Sequence, residues 1–266
     1  MLQEFADRAL ADGHVGIVIG VISGGASEWV SAGWTGRKGT RPTDRTIFRL
    51  ASVSKVFTAT ALAAAVTSND IGLDDRVIGQ ITYRHLATHT AGLPRDDTTL
   101  LQAISATPSD RFQYSNVGVS ALGALLGPSY ETVIRERIGL ADITTVLDAE
   151  QLSRLAPGHD ENGGPVVTPT YPDGAPSGGL YGTVADLLTF LQQYLRPDEA
   201  KQLAVSERLC WVVEDDRIWH NGSLPGYRSY LAFSPHTDVG VAVLSNTGKS
   251  VDALANEVFQ RLVIGT

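Results

Sequence analysis

Apolar residues near both ends of the chain form short runs that are typical of strands. Residues 15–22 are almost continuously apolar, and the Gly24-Gly25 pair separates them from a second run that reaches Trp29 and Val30. Two runs joined by such a turn predict a hairpin. Toward the C-terminus the same pattern predicts strands over 209–213, 218–221, 227–233 and 239–244. Apolar residues at helical spacing precede the first strand and follow the last one, which predicts a helix at each end.

The middle of the chain, from residue 69 to 205, has apolar residues at helical spacing between connections rich in Gly and Pro. We expect helices near 83–89, 98–105, 116–126, 129–138 and 183–196, and an extended connection over 156–182. Strands at both ends with helices between them predict an α/β (α+β) fold. Its antiparallel sheet is built from both termini, with terminal helices on one face and a helical insert on the other. We expect one domain over 1–266, comprising a sheet subdomain (1–50 and 206–266) and a mainly helical subdomain (51–205).

The composition argues against several classes of function. The net charge is −8 and no basic run is present, so nucleic acid is not an expected partner. No stretch approaches the length of apolar residues that spans a membrane. The single cysteine, Cys210, excludes an intrachain disulfide and is expected to be a buried hydrophobic residue. The acidic N-terminus is unlike a signal peptide, which favours a cytoplasmic protein, or an exported one whose signal peptide has been removed.

The most informative stretch is 48–59, in which Ser52 and Lys55 form a Ser-x-x-Lys motif. Residues three apart on a helix share one face, so the two side chains are within reach of each other. Backbone N–H groups at a helix start would stabilise an anion formed beside Ser52. A desolvated Lys55 could lose its proton near neutral pH and act as a base. Such tetrapeptides also arise by chance, and Ser52 by itself is equally explained as an N-cap.

A second motif, Tyr114-Ser115-Asn116, begins a predicted helix. Tyr114 could transfer a proton if nearby cations lower its pKa. Asn116 could hydrogen-bond a substrate amide and the ammonium group of Lys55. Taken alone, a tyrosine before a helix is more often a packing residue.

A third motif, His220-Asn221-Gly222-Ser223, ends a predicted strand. Gly222 would allow a ligand to approach the strand edge closely. The N–H of Ser223 could join that of Ser52 in an oxyanion hole. His220 could supply charge or a hydrogen bond near Tyr114, although by itself a strand-end histidine bound to the backbone explains it better.

The order Ser-x-x-Lys, Tyr-x-Asn, His-x-Gly resembles the serine β-lactamase and penicillin-binding protein family, specifically its class C, DD-peptidase and esterase branch. Five blocks resemble those of the family in the family's order, at 48–59, 81–94, 111–118, 176–191 and 220–246. The resemblance implies a β-lactamase/transpeptidase-like fold and a covalent acyl-enzyme mechanism. It also implies the following roles: Ser52 as nucleophile, Lys55 as its activating partner, Tyr114 as general base and then acid, Asn116 as a ligand of the acyl side, His220 and Asn221 with Gly222 as substrate-binding residues, and the amides of Ser52 and Ser223 as the oxyanion hole.

Several residues depart from the family's patterns. No Glu-x-x-x-Asn motif of the class A kind is present, and His220 stands where many members have lysine. Histidine at this position resembles DD-peptidases and esterases more than class C β-lactamases. Asn221 replaces a threonine that often binds a substrate carboxylate, and Arg228 could compensate for that loss or simply be a solvated strand residue.

We therefore expect a serine hydrolase that acts through a Ser52 acyl-enzyme on small esters, D-amino-acid amides or peptides, or β-lactams. Two alternatives use the same site: an acyltransferase of a biosynthetic pathway, and a penicillin-binding sensor that does not turn over. No cofactor is needed for this chemistry. His85 and His89 have the i, i+4 spacing of a metal pair, but no third ligand suggests itself and the family block implies a structural loop, so no metal site is expected.

Overall fold

The computed structural model describes residues 2–36, 39–97, 100–127, 130, 133–134, 138–170 and 174–265. It contains a six-stranded antiparallel sheet in the order β2-β1-β10-β9-β8-β7 and two pairs of short strands, β3 with β6 and β4 with β5. The strands are β1 (Gly16–Ser23), β2 (Ala26–Gly33), β3 (Phe48–Arg49), β4 (Arg76–Ile78), β5 (Ile81–Thr82), β6 (Tyr181–Gly182), β7 (Val212–Glu214), β8 (Arg217–Leu224), β9 (Tyr227–Ser234) and β10 (Val239–Ser245).

The sheet joins the two ends of the chain, as the hydrophobic pattern predicts. The first hairpin turns at Gly24 and Gly25, which have φ values of 57° and 80° that favour glycine. β1 then pairs with β10 from Ile17 opposite Ser245 to Ser23 opposite Val239. The predicted antiparallel sheet built from both termini is therefore confirmed.

Helices occupy the two ends and most of the middle of the chain. Their bounds are Leu2–Ala11, Ser54–Thr67, Tyr83–Ala87, Leu100–Ser105, Asn116–Leu126, Ala149–Arg154, Val184–Leu195, Glu199–Ser206 and Asp252–Gly265. The predicted helix over 116–126 is confirmed, and that over 183–196 is one residue shorter at each end. The helix expected over 83–89 ends at Ala87, since His89 has a φ of 60° that a helix does not accept. Most of the helix predicted over 129–138 lies outside the described residues.

Two hydrophobic cores cover the faces of the sheet. On one face, Phe5 and Phe259 of the terminal helices pack with sheet residues such as Ile19 and Val243. On the other, Phe57 and Phe190 of the middle helices stack on each other in a core that includes Val18 and Phe233. The expected arrangement of helices around the sheet is thus observed, while the subdomain division at residues 50 and 206 stays a prediction.

The expected connection over 156–182 is only partly irregular. It contains a π turn at Ala175–Gly179 and strand β6, which pairs with β3 beside the Ser52 motif. Residues 171–173 lie outside the described part of the chain. Cys210 is buried, as predicted. No helix of the described residues is long and apolar enough to cross a membrane.

Candidate active site

Ser52 lies in a tight 3-10 turn, Ala51–Val53, rather than on the α-helix itself, which begins at Ser54. The residue that precedes this helix is Val53, and no side chain caps it. The interpretation of Ser52 as an N-cap is therefore not supported. Ala51 has a φ of 48°, an uncommon conformation for a residue with a side chain, and such local strain is typical of functional turns. The Ser52 side chain is half-buried and remains available for chemistry.

The side chain of Lys55 lies fully buried beside Ser52. Its Nζ donates to Ser52 Oγ at 3.3 Å and to Asn116 Oδ1 at 2.8 Å, and also to the backbone carbonyl of Ser177. These acceptors occupy the three donors of an ammonium group. The structure thus brings together the residues of the first two motifs, Ser52, Lys55 and Asn116.

Burial dominates the electrostatics of Lys55. Its side chain is 0% exposed, and desolvation of the charged form lowers the pKa of Lys55 from its usual value to about 7. The nearby Arg95 guanidinium acts in the same direction, whereas Asp96 opposes it. Near neutral pH a substantial fraction of Lys55 is therefore a neutral amine, which can accept a proton from Ser52.

Acylation of Ser52 should accelerate as the pH rises through about 7. Below this value Lys55 is an ammonium ion and cannot accept the serine proton, whereas above it the neutral amine dominates. The burial of His89 and His220 lowers their pKa values to about 3 and about 4, so neither histidine would produce this inflection. The measurement is the rate of acylation by a chromogenic ester as a function of pH. A profile that is flat through neutral pH would contradict the role of Lys55 as base.

Tyr114 is held by an aromatic and cationic environment. The ring of His89 lies against it, with 4.5 Å between the ring centroids. The Nζ of Lys55 and the guanidinium of Arg95 each lie 5.0 Å from the centre of its ring. Burial nevertheless raises the pKa of Tyr114 to about 12, although a hydrogen bond with Ser52 works in the other direction. The expectation that neighbouring cations lower this pKa is not met, and Tyr114 is a phenol near neutral pH.

Asn116 is fixed at the first position of the Asn116–Leu126 helix. The preceding residue, Ser115, caps this helix by accepting the N–H of Gly118 at 2.9 Å. The oxygen and the nitrogen of the Asn116 side-chain amide contact different groups. Its oxygen accepts from Lys55, and its Nδ2 donates to Asp96 Oδ1 at 2.7 Å. The amide orientation is therefore set by a cation on one side and a carboxylate on the other.

Strand β8 brings only part of the third motif to Ser52. Alternate residues of a strand point to opposite faces. His220 and Gly222 are buried, and a Cβ at Gly222 would lie 2.5 Å from the carbonyl oxygen of Leu50 and 2.9 Å from Ala51 Cβ. Gly222 is thus required for β8 to pack directly against the Ser52 turn. Lys55 is also among the charges that lower the pKa of His220, which places this histidine near the site.

Asn221 and Ser223 lie at the alternate positions. The Nδ2 of Asn221 donates to Asp252 Oδ2 at 3.0 Å, in the C-terminal helix, so its side chain is committed away from Lys55. The side chain of Ser223 is exposed and lines a separate cavity with Arg228 and Glu161. The predicted contribution of Ser223 is its backbone N–H, next to Gly222. The structure therefore does not bring the side chain of Asn221 to the candidate active site.

Two functional contacts were missing from the sequence-based expectations. The carbonyl of Ser177 binds Lys55, but a backbone acceptor leaves no signature in the residue type. The sequence-based expectations considered His89 only as one of two possible metal ligands, with His85. Its Nδ1 instead accepts the N–H of Ser115 at 3.1 Å, and His85 Nδ1 contacts Thr82 at 3.0 Å. No cluster of three potential metal ligands occurs among the described residues.

Comparisons with known proteins identify the family and the fold of this chain. A family model described as Beta-lactamase matches residues 2–264. A curated β-lactamase of Lysobacter lactamgenus is 23% identical, over 89% of this chain and 83% of that protein. A class C β-lactamase of Rhodobacter sphaeroides has a similar structure, with a TM-score of 0.84 and 20% identity over 99% of this chain and 97% of that one. For a D-alanine carboxypeptidase of Burkholderia cenocepacia the TM-score is 0.82, with 22% identity over 99% and 98% of the two chains.

The chain belongs to the β-lactamase family, because the family model covers nearly its whole length. The structural neighbours, at identities of 20% and 22%, show that the fold is that of β-lactamases and DD-peptidases. The resemblance drawn from the three motifs is therefore confirmed. Family membership supports a serine hydrolase.

Proposed function

We propose that the protein is a serine hydrolase that forms an acyl-enzyme on Ser52 and prefers small, uncharged esters. The observation that carries the proposal is the buried Lys55, whose Nζ contacts both Ser52 Oγ and Asn116 Oδ1. A buried amine with a pKa near neutrality, in hydrogen-bond reach of a serine, is the arrangement that activates a nucleophile.

In the first half-reaction, Ser52 Oγ attacks the substrate carbonyl while its proton passes to Lys55. The N–H groups of Ser52 and Ser223 stabilise the oxyanion. Tyr114, a phenol that interacts with Ser52, gives its proton to the leaving alkoxide and regains one from Lys55. In the second half-reaction, water attacks the acyl-enzyme, its proton passes through Tyr114 to Lys55, and Ser52 is reprotonated as the acid leaves.

The charges at the β8 edge support the choice of uncharged substrates. Burial keeps His220 neutral, whereas many relatives are expected to have lysine at this position. The side chain of Asn221 is bonded to Asp252. Arg228 donates to the carbonyls of Leu224 and Tyr227, both at 2.9 Å. His220 and Asn221 thus carry no positive charge for the carboxylate of β-lactams and D-alanyl peptides, and the Nη1 of Arg228 is engaged by two backbone carbonyls.

Steady-state hydrolysis of a chromogenic short-chain ester, a chromogenic cephalosporin and a D-alanyl-D-alanine peptide tests this proposal. We expect the highest kcat/KM for the ester and no turnover by Ser52→Ala. Faster turnover of the cephalosporin or the peptide would overturn the substrate preference while leaving the nucleophile in place. Ester turnover that requires an added amine or alcohol would identify an acyltransferase instead, and a stable adduct without turnover would identify a sensor.

A matched substitution isolates the role of charge at position 220. His220→Lys should raise kcat/KM for the cephalosporin relative to the ester by about tenfold, because a charge-assisted hydrogen bond would become available to the substrate carboxylate. His220→Gln introduces a polar side chain without a charge and serves as the control. The same change in preference for both variants would show that charge is not the cause.

A further inference from the structure

A cavity of about 440 Å³ lies beside the candidate active site but is not part of it. Its wall is mainly apolar and includes Val146, Leu147, Leu152, Leu155 and Ala175. One cation, Arg49, also lines it. Small-molecule sites commonly combine an apolar wall with a few polar groups that fix the orientation of the ligand. The cavity has this composition.

Arg49 is a buried cation that takes part in none of the ion pairs found among the described residues. Its side chain lies in β3 and the residue is only 4% exposed. Its Nη1 donates to Tyr181 Oη at 3.2 Å and its guanidinium lies 4.9 Å from the centre of the same ring. The buried Nε has no hydrogen-bond partner, and no described carboxylate forms an ion pair with Arg49.

The neighbouring arginines differ in this respect. Arg154 is paired with Asp142 at 2.5 Å and with Glu150 at 2.7 Å, and Arg45 lies 3.6 Å from Asp142. Leaving a buried charge without a partner is costly, so natural proteins normally pair it or use it. Arg49 thus has unused donor capacity at the edge of an apolar cavity.

We propose that this cavity binds a carboxylate attached to a short hydrocarbon chain. The guanidinium of Arg49, which lines the cavity, presents a planar set of donors that suits a carboxylate. The hydrocarbon chain lies along Val146, Leu147, Leu152 and Leu155. This inference goes beyond the proposed function, because neither Ser52 nor Lys55 lines the cavity.

The cavity and the candidate active site share one structural element, the turn Ala175–Gly179. Ala175 and Gly179 line the cavity, while the carbonyls of Pro176 and Ser177 accept hydrogen bonds from Thr58 and Lys55. A ligand bound at Arg49 therefore lies against the other side of the turn that holds Lys55.

Isothermal titration calorimetry with octanoate tests the proposal, in the Ser52→Ala variant so that the acyl-enzyme reaction plays no part. We expect saturable binding of octanoate and binding of 1-octanol that is about tenfold weaker or more, because the alcohol lacks the charge-assisted hydrogen bonds. Absence of saturable octanoate binding, or equal affinity for the alcohol, would overturn the proposal. Neither result would bear on ester hydrolysis, so the two proposals fail separately.

Three variants locate the site. Arg49→Met keeps an extended side chain without charge and should weaken octanoate binding about tenfold or more. Val146→Asp places a carboxylate in the cavity wall and should also weaken octanoate binding, whereas Val167→Asp should leave octanoate binding unchanged. Val146 and Val167 are 76% and 93% exposed, so both substitutions are tolerated by the fold, and Val167 is not part of the cavity wall. Unchanged affinity in Val146→Asp, or an equal loss in Val167→Asp, would contradict binding in this cavity.

Discussion

Replacing Lys55 with methionine is expected to slow acylation of Ser52 by about 10²–10⁴-fold, the usual contribution of a positioned general base. Methionine has a similar length and is apolar, so it suits a position that is 0% exposed. It cannot accept the Ser52 proton across the 3.3 Å that separates Lys55 Nζ from Ser52 Oγ. The rate of acyl-enzyme formation, measured by stopped flow with a chromogenic ester, provides the test.

Lys55→Arg separates the charge of this residue from its basicity. Arginine keeps a cation beside Asn116 but does not release its proton at any relevant pH. If Lys55 acts as the base, Lys55→Arg should be about as slow as Lys55→Met. If the arginine variant retained acylation within a few fold of the wild type, the residue would be acting as a fixed charge. Thermal unfolding of both variants checks that the fold survives the change.

Replacing Tyr114 with phenylalanine is the second change for which we expect a large effect. The ring that packs against His89, Lys55 and Arg95 is retained, and only the hydroxyl is lost. Because this hydroxyl interacts with Ser52 and carries the proton in both half-reactions of the proposed mechanism, kcat should fall by about 10²–10⁴-fold. Pre-steady-state product release and steady-state turnover of the same ester measure the two half-reactions separately.

The Tyr114→Phe variant also tests the order of the half-reactions. Ester substrates with a good leaving group need little help from an acid, so their acylation should be less affected than deacylation. An acyl-enzyme should therefore accumulate in Tyr114→Phe and become visible as a burst. Turnover within about twofold of wild type would show that the phenol takes no part in the proton transfers.

The sequence was sufficient for those features that depend on local patterns. The hairpin follows from an apolar run and the Gly24-Gly25 pair, and the helix over Asn116–Leu126 follows from apolar residues at helical spacing; the structure adds a cap at Ser115. Likewise, Thr183 and Asp186 form a capping box that fixes the start of the Val184–Leu195 helix. Ser52 and Lys55 lie close together because they are three residues apart, although Ser52 is in the 3-10 turn and Lys55 is in the helix that follows it.

Other features depend on contacts between distant parts of the chain. The two-residue pairing of β3 with β6 has no periodic pattern to reveal it, yet it brings Arg49 next to Tyr181. The pKa of Tyr114 depends on how deeply the ring is buried, which overrides the cations around it. The position of Asn221 could have been recognised, since strand alternation places it on the face opposite to His220 and Gly222.

Intact-protein mass spectrometry after mixing with a short-chain ester tests the central claim most directly. The account predicts a mass increase equal to the acyl group on the wild-type protein, which is absent in Ser52→Ala and prolonged in Tyr114→Phe. Peptide mapping should place the adduct on Ser52. An adduct that persists in Ser52→Ala, or ester turnover without an adduct on Ser52 in either the wild type or Tyr114→Phe, would contradict the account.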